Sequence, residues 1–210
     1  MTNSYIIPTI GRETIGRTVH AILKEDPLAQ ILICNGGQSA GENRNKGLVQ
    51  AKGEWIVFCD DDDFLNPGYL QQLSTDADLV VFRMMQHGRI IPDITNELRI
   101  SNVGINFAMR RSLWEKEKPM FDDGKMEEDW RFLERLLSLS PKVKVTNDVF
   151  YNAPASSHIQ KPLHQEDQAV LWANKCAEEA RKLDAYKQTI RPQLYHGFSA
   201  LFKKFLGRKG

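Results

Sequence analysis

Three cysteines are few for a chain of 210 residues, and Cys34, Cys59 and Cys176 are scattered, odd in number and free of any CxxC spacing. That argues against a disulfide framework or a structural zinc site and suits a reducing cytosol. No apolar run approaches the roughly 18–20 residues that cross a bilayer. The opening MTNSYIIPTIGRE lacks a basic stretch followed by an apolar one, so no signal peptide is expected. Charge of one sign is also missing. Lys+Arg is 28 against 27 Asp+Glu, a net charge of +1, which argues against a nucleic-acid partner. Nothing repeats at a solenoid or collagen period, and a hydrophobic share of 41% argues against a disordered chain. The expected location is the cytoplasm, with the inner face of the membrane left open.

What is present alternates. Tyr5-Ile6-Ile7, Ile31 to Cys34, Trp55 to Cys59 and Leu79 to Phe82 are short apolar runs that read as buried strands. Between them, Glu13–Lys24 carries Ile15, Val19, Ile22 and Leu23 at helical spacing, Gly41–Lys52 reads as a helix, and Pro67–Leu73 as a short one. This order predicts an α/β fold with a mixed, mainly parallel sheet flanked by helices. Residues 86–111 suggest shorter, partly antiparallel strands turning at His87-Gly88. Met126–Leu139 returns to a helix with Trp130, Leu133, Leu136 and Leu137 on one side, followed by two short strands, Val143–Val145 and Val149–Tyr151. The expected division is a catalytic domain over 1–160 and a helical, basic, amphipathic tail over 161–210.

Ligands of open α/β sheets collect at the carboxyl ends of strands. Three polar clusters stand just there: Pro8 to Arg12, Asn35 to Ser39, and Asp60-Asp61-Asp62-Asp63. Four adjacent carboxylates repel one another unless a cation or many donors compensate. Residues two apart in an extended segment point the same way, so Asp60 and Asp62 could face one hard divalent cation, Mg²⁺ or Mn²⁺. The alternative is a solvated acidic turn. An EF-hand is excluded, because neither Asp60 nor Asp61 opens a loop with glycine in sixth place. Gly41 to Gly47 offers close approach and an arginine, Arg44, suited to phosphate; a plain helix start explains it as well. Glu127-Glu128-Asp129 begins a helix, where acids are favoured in any protein; beside a metal-bound diphosphate, a carboxylate there could instead serve as general base.

These motifs together resemble family 2 glycosyltransferases. Gly53 to Asp63 followed by Pro67 resembles the family's "GeyivfLDaDD…P" segment, Asn43 to Gly47 its "aRNxG", and Glu128-Asp129-Trp130 with Arg131 to Leu136 its "EDwdlwlRl" helix. Asn106 to Arg111 resembles the preceding strand, and Phe121-Asp122 the "fDe" turn; the likeness spans about residues 4–155. The resemblance implies a GT-A fold and inverting transfer of a hexosyl group from a nucleotide-diphosphate sugar, a UDP-sugar first among them. The implied acceptor is a saccharide or lipid-linked saccharide in polysaccharide synthesis. It further implies that Asp60 and Asp62 hold the ion and the donor, that Asp61 and Asp63 line the donor site, and that Asp129, with Glu128 beside it, is the catalytic base. Pro8, Thr9 and Arg12 would border the nucleotide, and Arg44 would close its site. Two departures stand out. Asn35 occupies the place where relatives carry an aspartate against the base. In the loop after Tyr151, His158 alone could supply the basic contact to diphosphate or metal.

Two rival classes remain open on these residues. A sugar nucleotidyltransferase shares the architecture but opens with a glycine-rich GxGxR loop that PTIGRET does not match. A noncatalytic nucleotide-sugar-binding or membrane-associated scaffold would keep the fold without turnover. The tail carries nine Lys/Arg against three Asp/Glu over 171–210, with Leu194, Phe198, Leu201, Phe202 and Phe205 at helical spacing. Such a helix could lie on an anionic membrane or pack on protein.

Overall fold

The computed structural model describes residues 2–93, 95–122 and 127–154. His158, Cys176 and the expected helical tail lie outside the described residues. The elements run β1 (Ser4–Pro8), α1 (Ile15–Glu25), β2 (Gln30–Cys34), α2 (Ala40–Leu48), β3 (Trp55–Phe58), β4 (Phe64–Leu65), α3 (Tyr69–Gln72), β5 (Leu79–Gln86), β6 (Arg89–Ile91), β7 (Phe107–Arg110), α4 (Arg111–Trp114), α5 (Glu128–Ser138) and β8 (Val143–Ala153).

Strands β1 and β3 are buried along their whole length, as is the first half of β5. That is why they read as unbroken apolar runs rather than as alternation. The sheet order is β2-β1-β3-β7-β5-β8-β4, with β6 hydrogen-bonded to β5. The β2-β1-β3 half is parallel, and β5 pairs with β8 in parallel. Strand β7 enters antiparallel between β3 and β5. The fourth apolar run is therefore not a direct neighbour of the third, and the parallel ladder is split by a strand from the region of short strands.

Several local expectations shift. The two strands expected over 143–151 are one strand, Val143–Ala153, with an irregular register opposite Val81–Met84. Thr146 explains the break: its hydroxyl accepts from the Arg83 N–H at 2.9 Å and donates to the Asp148 carbonyl at 2.9 Å. Helix α2 ends at Leu48 rather than Lys52, and α3 begins only after the turn at Pro67-Gly68. On α5 the buried face is Phe132, Leu133 and Leu136, whereas Trp130 stays half-exposed. Phe132 stacks on Phe121 with centroids 4.0 Å apart and meets Phe58 and Phe107, a cluster that ties α5 to the centre of the sheet. Cys34 and Cys59 are free and buried.

Helix α2 lies close on β1 because of Gly47. A Cβ at that position would stand 2.5 Å from Cγ2 of Ile6. The glycine of the Asn43–Gly47 segment is thus a packing requirement that sets how near Asn43 and Arg44 come to the strand ends. No helix among the described residues is long and apolar enough to cross a membrane.

Candidate active site

The site is built where β1, β2 and β3 end. Strand β3 stops at Phe58, and the chain then turns rather than continuing extended: the Asp63 N–H donates to the Asp60 carbonyl at 3.1 Å. The alternation expected of an extended segment therefore does not hold, and the four aspartates are held by separate groups, with Asp61 and Asp62 sharing Arg12. Asp60 faces Arg44, with Nη2 to Oδ1 at 2.7 Å. Asp61, 2% exposed, accepts from the Thr9 hydroxyl at 2.5 Å and pairs with Arg12 at 2.8 Å. Asp62 pairs with the same Arg12 nitrogen at 3.0 Å. Asp63 is buried and accepts from the Tyr151 hydroxyl at 2.8 Å.

Helix α1 holds the turn from behind. The Thr18 hydroxyl donates to the Asp63 carbonyl at 2.6 Å, and Arg17 donates to the Asp62 carbonyl at 2.7 Å while its guanidinium lies over Phe64. The Tyr151 hydroxyl also accepts from the Asp60 N–H at 3.2 Å, so β8 braces the turn from the opposite side. Arg17, Thr18 and Tyr151 carry no local sequence signal for this role; each acts on residues more than forty positions away.

Arg44 is the centre of the arrangement. Its side chain is 3% exposed. Nη2 holds Asp60, while Nη1 donates to Glu128 at 2.7 Å and to Asp129 at 3.1 Å. Asp60 of the turn and the α5 acids, expected to act together, are brought together by one guanidinium. The structure thus gives Arg44 carboxylate partners where the sequence suggested a phosphate. Burial opposes its charge, and Asp60, Asp129 and Glu128 outweigh that, so it is held protonated more firmly than an ordinary arginine.

The acids respond to the same field. Burial raises the Asp129 carboxyl above its usual range, Arg44 pulls it back, and Asp60 pushes it up further. Glu128 is raised by burial, lowered by Arg44 and raised by Asp129. Asp62 is raised by burial, lowered by Arg12 and raised by Asp60 and Asp61. Asp63 is pushed up to about 8, chiefly by burial and then by Asp60. A carboxyl so placed is largely protonated at neutral pH.

A cleft of about 240 Å³ opens beside the turn, with Pro8, Thr9, Arg12, Asp60 and Asp61 on one side and Gly37, Gln38, Ser39 and Asn43 on the other. The second side is shaped by capping: Ser39 accepts from the Glu42 N–H at 3.0 Å, Glu42 accepts from the Gln38 N–H at 2.6 Å, and Asn43 accepts from the Gly37 N–H at 2.9 Å. Asn35 is exposed at the end of β2 and does not line this cleft; its carbonyl accepts from Lys46 at 3.1 Å. Arg44 and Asp63 lie beneath the surface rather than on it.

The donor set suits a hard divalent ion. Five carboxylates, Asp60, Asp61, Asp62, Glu128 and Asp129, share two ion-paired arginines, which leaves negative charge in excess. Among the described residues no three His, Cys, Asp or Glu form a complete cage. One or two carboxylates completed by phosphate oxygens and water is the usual arrangement for Mg²⁺ in nucleotide sites.

Residues 21–116 match the model of Glycosyl transferase family 2. The match covers just under half of the chain. Among curated relatives, the uncharacterized glycosyltransferase YwdF of Bacillus subtilis (strain 168) is 38% identical over 65 residues, 30% of this chain and 24% of YwdF. The chain thus aligns with about a quarter of that relative's length. Among solved structures, S. aureus TarS 1-349 in complex with UDP-GlcNAc superposes with a TM-score of 0.61 at 19% identity, over 81% of this chain and 64% of that one. The mannosyltransferase PcManGT from Pyrobaculum calidifontis, in complex with GDP-Man and Mn²⁺, superposes with a TM-score of 0.52 at 13% identity, over 74% and 57%. At those identities the likeness is one of fold, and the fold is the GT-A type.

Proposed function

We propose that the chain is an inverting glycosyltransferase, moving a sugar from a nucleotide-diphosphate sugar to an acceptor hydroxyl with Asp129 as general base. The observation that carries the reading is the shared guanidinium: Arg44 joins Asp60, next to the cleft, to Glu128 and Asp129 at the start of α5. A donor-side acid and a base-side acid, 69 positions apart in the chain, become one unit. TarS is solved with UDP-GlcNAc and PcManGT with GDP-Man, which supports a nucleotide-sugar donor here.

In this reading the cleft takes the nucleotide, with Thr9 and Asn43 among its polar walls. Asp60 and Asp62 would hold a Mn²⁺ or Mg²⁺ ion, which would neutralise charge on the leaving diphosphate as a Lewis acid. The chain's own contribution is the proton. A sugar hydroxyl is a poor nucleophile, and Asp129 accepts its proton as it attacks the anomeric carbon. The raised Asp129 carboxyl makes it a better base than an ordinary aspartate. Arg44 keeps it charged despite its burial. Attack from the Asp129 side with departure on the Asp60 side inverts the anomeric centre. The acceptor is a saccharide or lipid-linked saccharide, and the basic tail over 195–210 suits work at the cytoplasmic membrane surface.

The test is thermal unfolding with UDP, GDP, dTDP and CDP, each with Mn²⁺ and with EDTA. A ligand at about 100 times its dissociation constant adds about 2.7 kcal/mol. One nucleotide should raise the melting temperature only with the ion. No shift with any of the four would overturn the donor-binding reading.

A further inference from the structure

Arg12 is placed as a cation would be. A single nitrogen, Nη1, lies 2.8 Å from Asp61 Oδ1 and 3.0 Å from Asp62 Oδ2, bridging two carboxylates of the turn. Asp61 is buried and has a second partner in Thr9, so its side of the bridge is fixed. Asp62 is half-buried, and its pair with Arg12 is the looser arm. The arginine itself is 33% exposed and lines the cleft. It also sits on an open, solvent-facing segment. Gly11 holds φ +89, a Cβ there would meet nothing within 4 Å, and Ile10 is 58% exposed. Thr9 anchors the start of the segment, with its hydroxyl accepting from the Gly11 N–H at 2.9 Å.

We propose that Arg12 is the resident counter-ion of the acidic turn, and that donor binding exchanges it: the divalent ion takes over Asp62, and the Arg12 guanidinium turns to the donor's diphosphate. The inference rests on the functional reading above and adds a residue role to it. The exchange follows from charge. A divalent ion at Asp62 repels a guanidinium bridging the same carboxylate. A diphosphate in the adjoining cleft offers Arg12 a partner whose geometry matches its fork, which a lysine cannot reproduce. Arg44 is excluded from that part because it is buried among three carboxylates. Arg12 is therefore a competitor of the ion when the cleft is empty and a partner of the donor when it is full.

The two halves predict opposite effects of one substitution. Removing the charge in Arg12→Gln should tighten Mn²⁺ binding without nucleotide by about 3–10-fold, read from free Mn²⁺ by electron paramagnetic resonance. The same variant should bind nucleoside diphosphate at saturating Mn²⁺ about 10-fold more weakly or worse, the scale of a lost charged hydrogen bond. Arg12→Lys keeps the charge and loses the fork. It should bind Mn²⁺ like wild type and nucleoside diphosphate more weakly, and it serves as the test should Arg12→Gln not fold. Both affinities falling together in Arg12→Gln would mark a purely structural arginine and overturn the exchange. So would an unchanged Mn²⁺ affinity. A wild-type protein that ignores all four nucleotides would overturn the functional reading itself, whereas loss of the crossed pattern in a protein that does bind nucleotide overturns the exchange alone.

Discussion

Asp129 receives a hydrogen bond from Arg44 at 3.1 Å, through the same nitrogen that holds Glu128 at 2.7 Å. Glu128 has the shorter contact, so Asp129 is the acid with more of its hydrogen-bonding capacity left for an acceptor hydroxyl. Asp129→Asn should lower kcat by about 10²–10⁴-fold, the usual cost of a lost general base. Nucleotide binding with Mn²⁺ should persist. Glu128→Gln should cost much less. A nucleotide-release assay with a thermal-shift control separates the two, and near-wild-type turnover by Asp129→Asn would remove the assignment.

The same carboxyl sets an acid limb. Burial and Asp60 raise it, with Arg44 opposing. A base works deprotonated, so kcat should fall as pH drops through that raised value, above the ordinary aspartate pKa of about 3.9. A kcat profile flat down to pH 4 would contradict this.

Asp63 makes stability pH-dependent in the opposite sense from an ion-paired acid. Its pKa is pushed up to about 8 in the fold, chiefly by burial. Between the unfolded value and about 8 the native chain therefore holds a proton that the unfolded chain releases. The stabilising contribution is complete below the unfolded pKa and is lost as pH rises, with a slope approaching about 1.4 kcal/mol per pH unit. In EDTA, urea unfolding of Asp63→Asn from pH 5 to 8 should show a flatter dependence than wild type. Identical slopes would exclude Asp63 as the source.

Arg44→Met should destabilise by about 3 kcal/mol. Loss of one member of a buried charge network costs about 3–5 kcal/mol. The lower end applies because Asp60 and Asp129 keep 31% and 28% of their side chains exposed. Urea titration measures it, and a change below about 0.5 kcal/mol, the range of ordinary surface substitutions, would show that the carboxylates find water instead.

Gly47→Ala opposes two effects. Helix propensity favours alanine by about 1 kcal/mol. Forcing a methyl to 2.5 Å from Ile6 costs about 1–3 kcal/mol, so a net loss is expected. A raised melting temperature would mean that α2 can slide outward without cost.

Much of the frame is legible in the sequence because β1, β3 and the first half of β5 are buried on both faces and so spell apolar runs. The acidic turn and the α5 acids are legible as chemistry. Their wiring is not. Arg44 reads as a phosphate ligand until the fold brings residues 128 and 129 to it across more than eighty positions. The aspartates look extended because they follow a strand, and only the Asp63-to-Asp60 hydrogen bond makes them a turn. The insertion of β7 is invisible because its four residues resemble any short buried strand. On α5, Phe132 rather than Trp130 faces the core, since Phe121 offers a flat ring to stack on.

Asn45 makes two hydrogen bonds to the main chain of Phe121, donating to its carbonyl at 3.0 Å and accepting from its N–H at 2.8 Å. With the phenylalanine cluster, this clamp secures the approach to α5 from α2 and the sheet centre. None of these holds on α5 passes through residues 86–106. That stretch is tied instead to β5, where the Asn106 amide donates to the Phe82 carbonyl and the Phe82 N–H donates back to the Asn106 carbonyl, so a change there would loosen β5 and leave α5 seated.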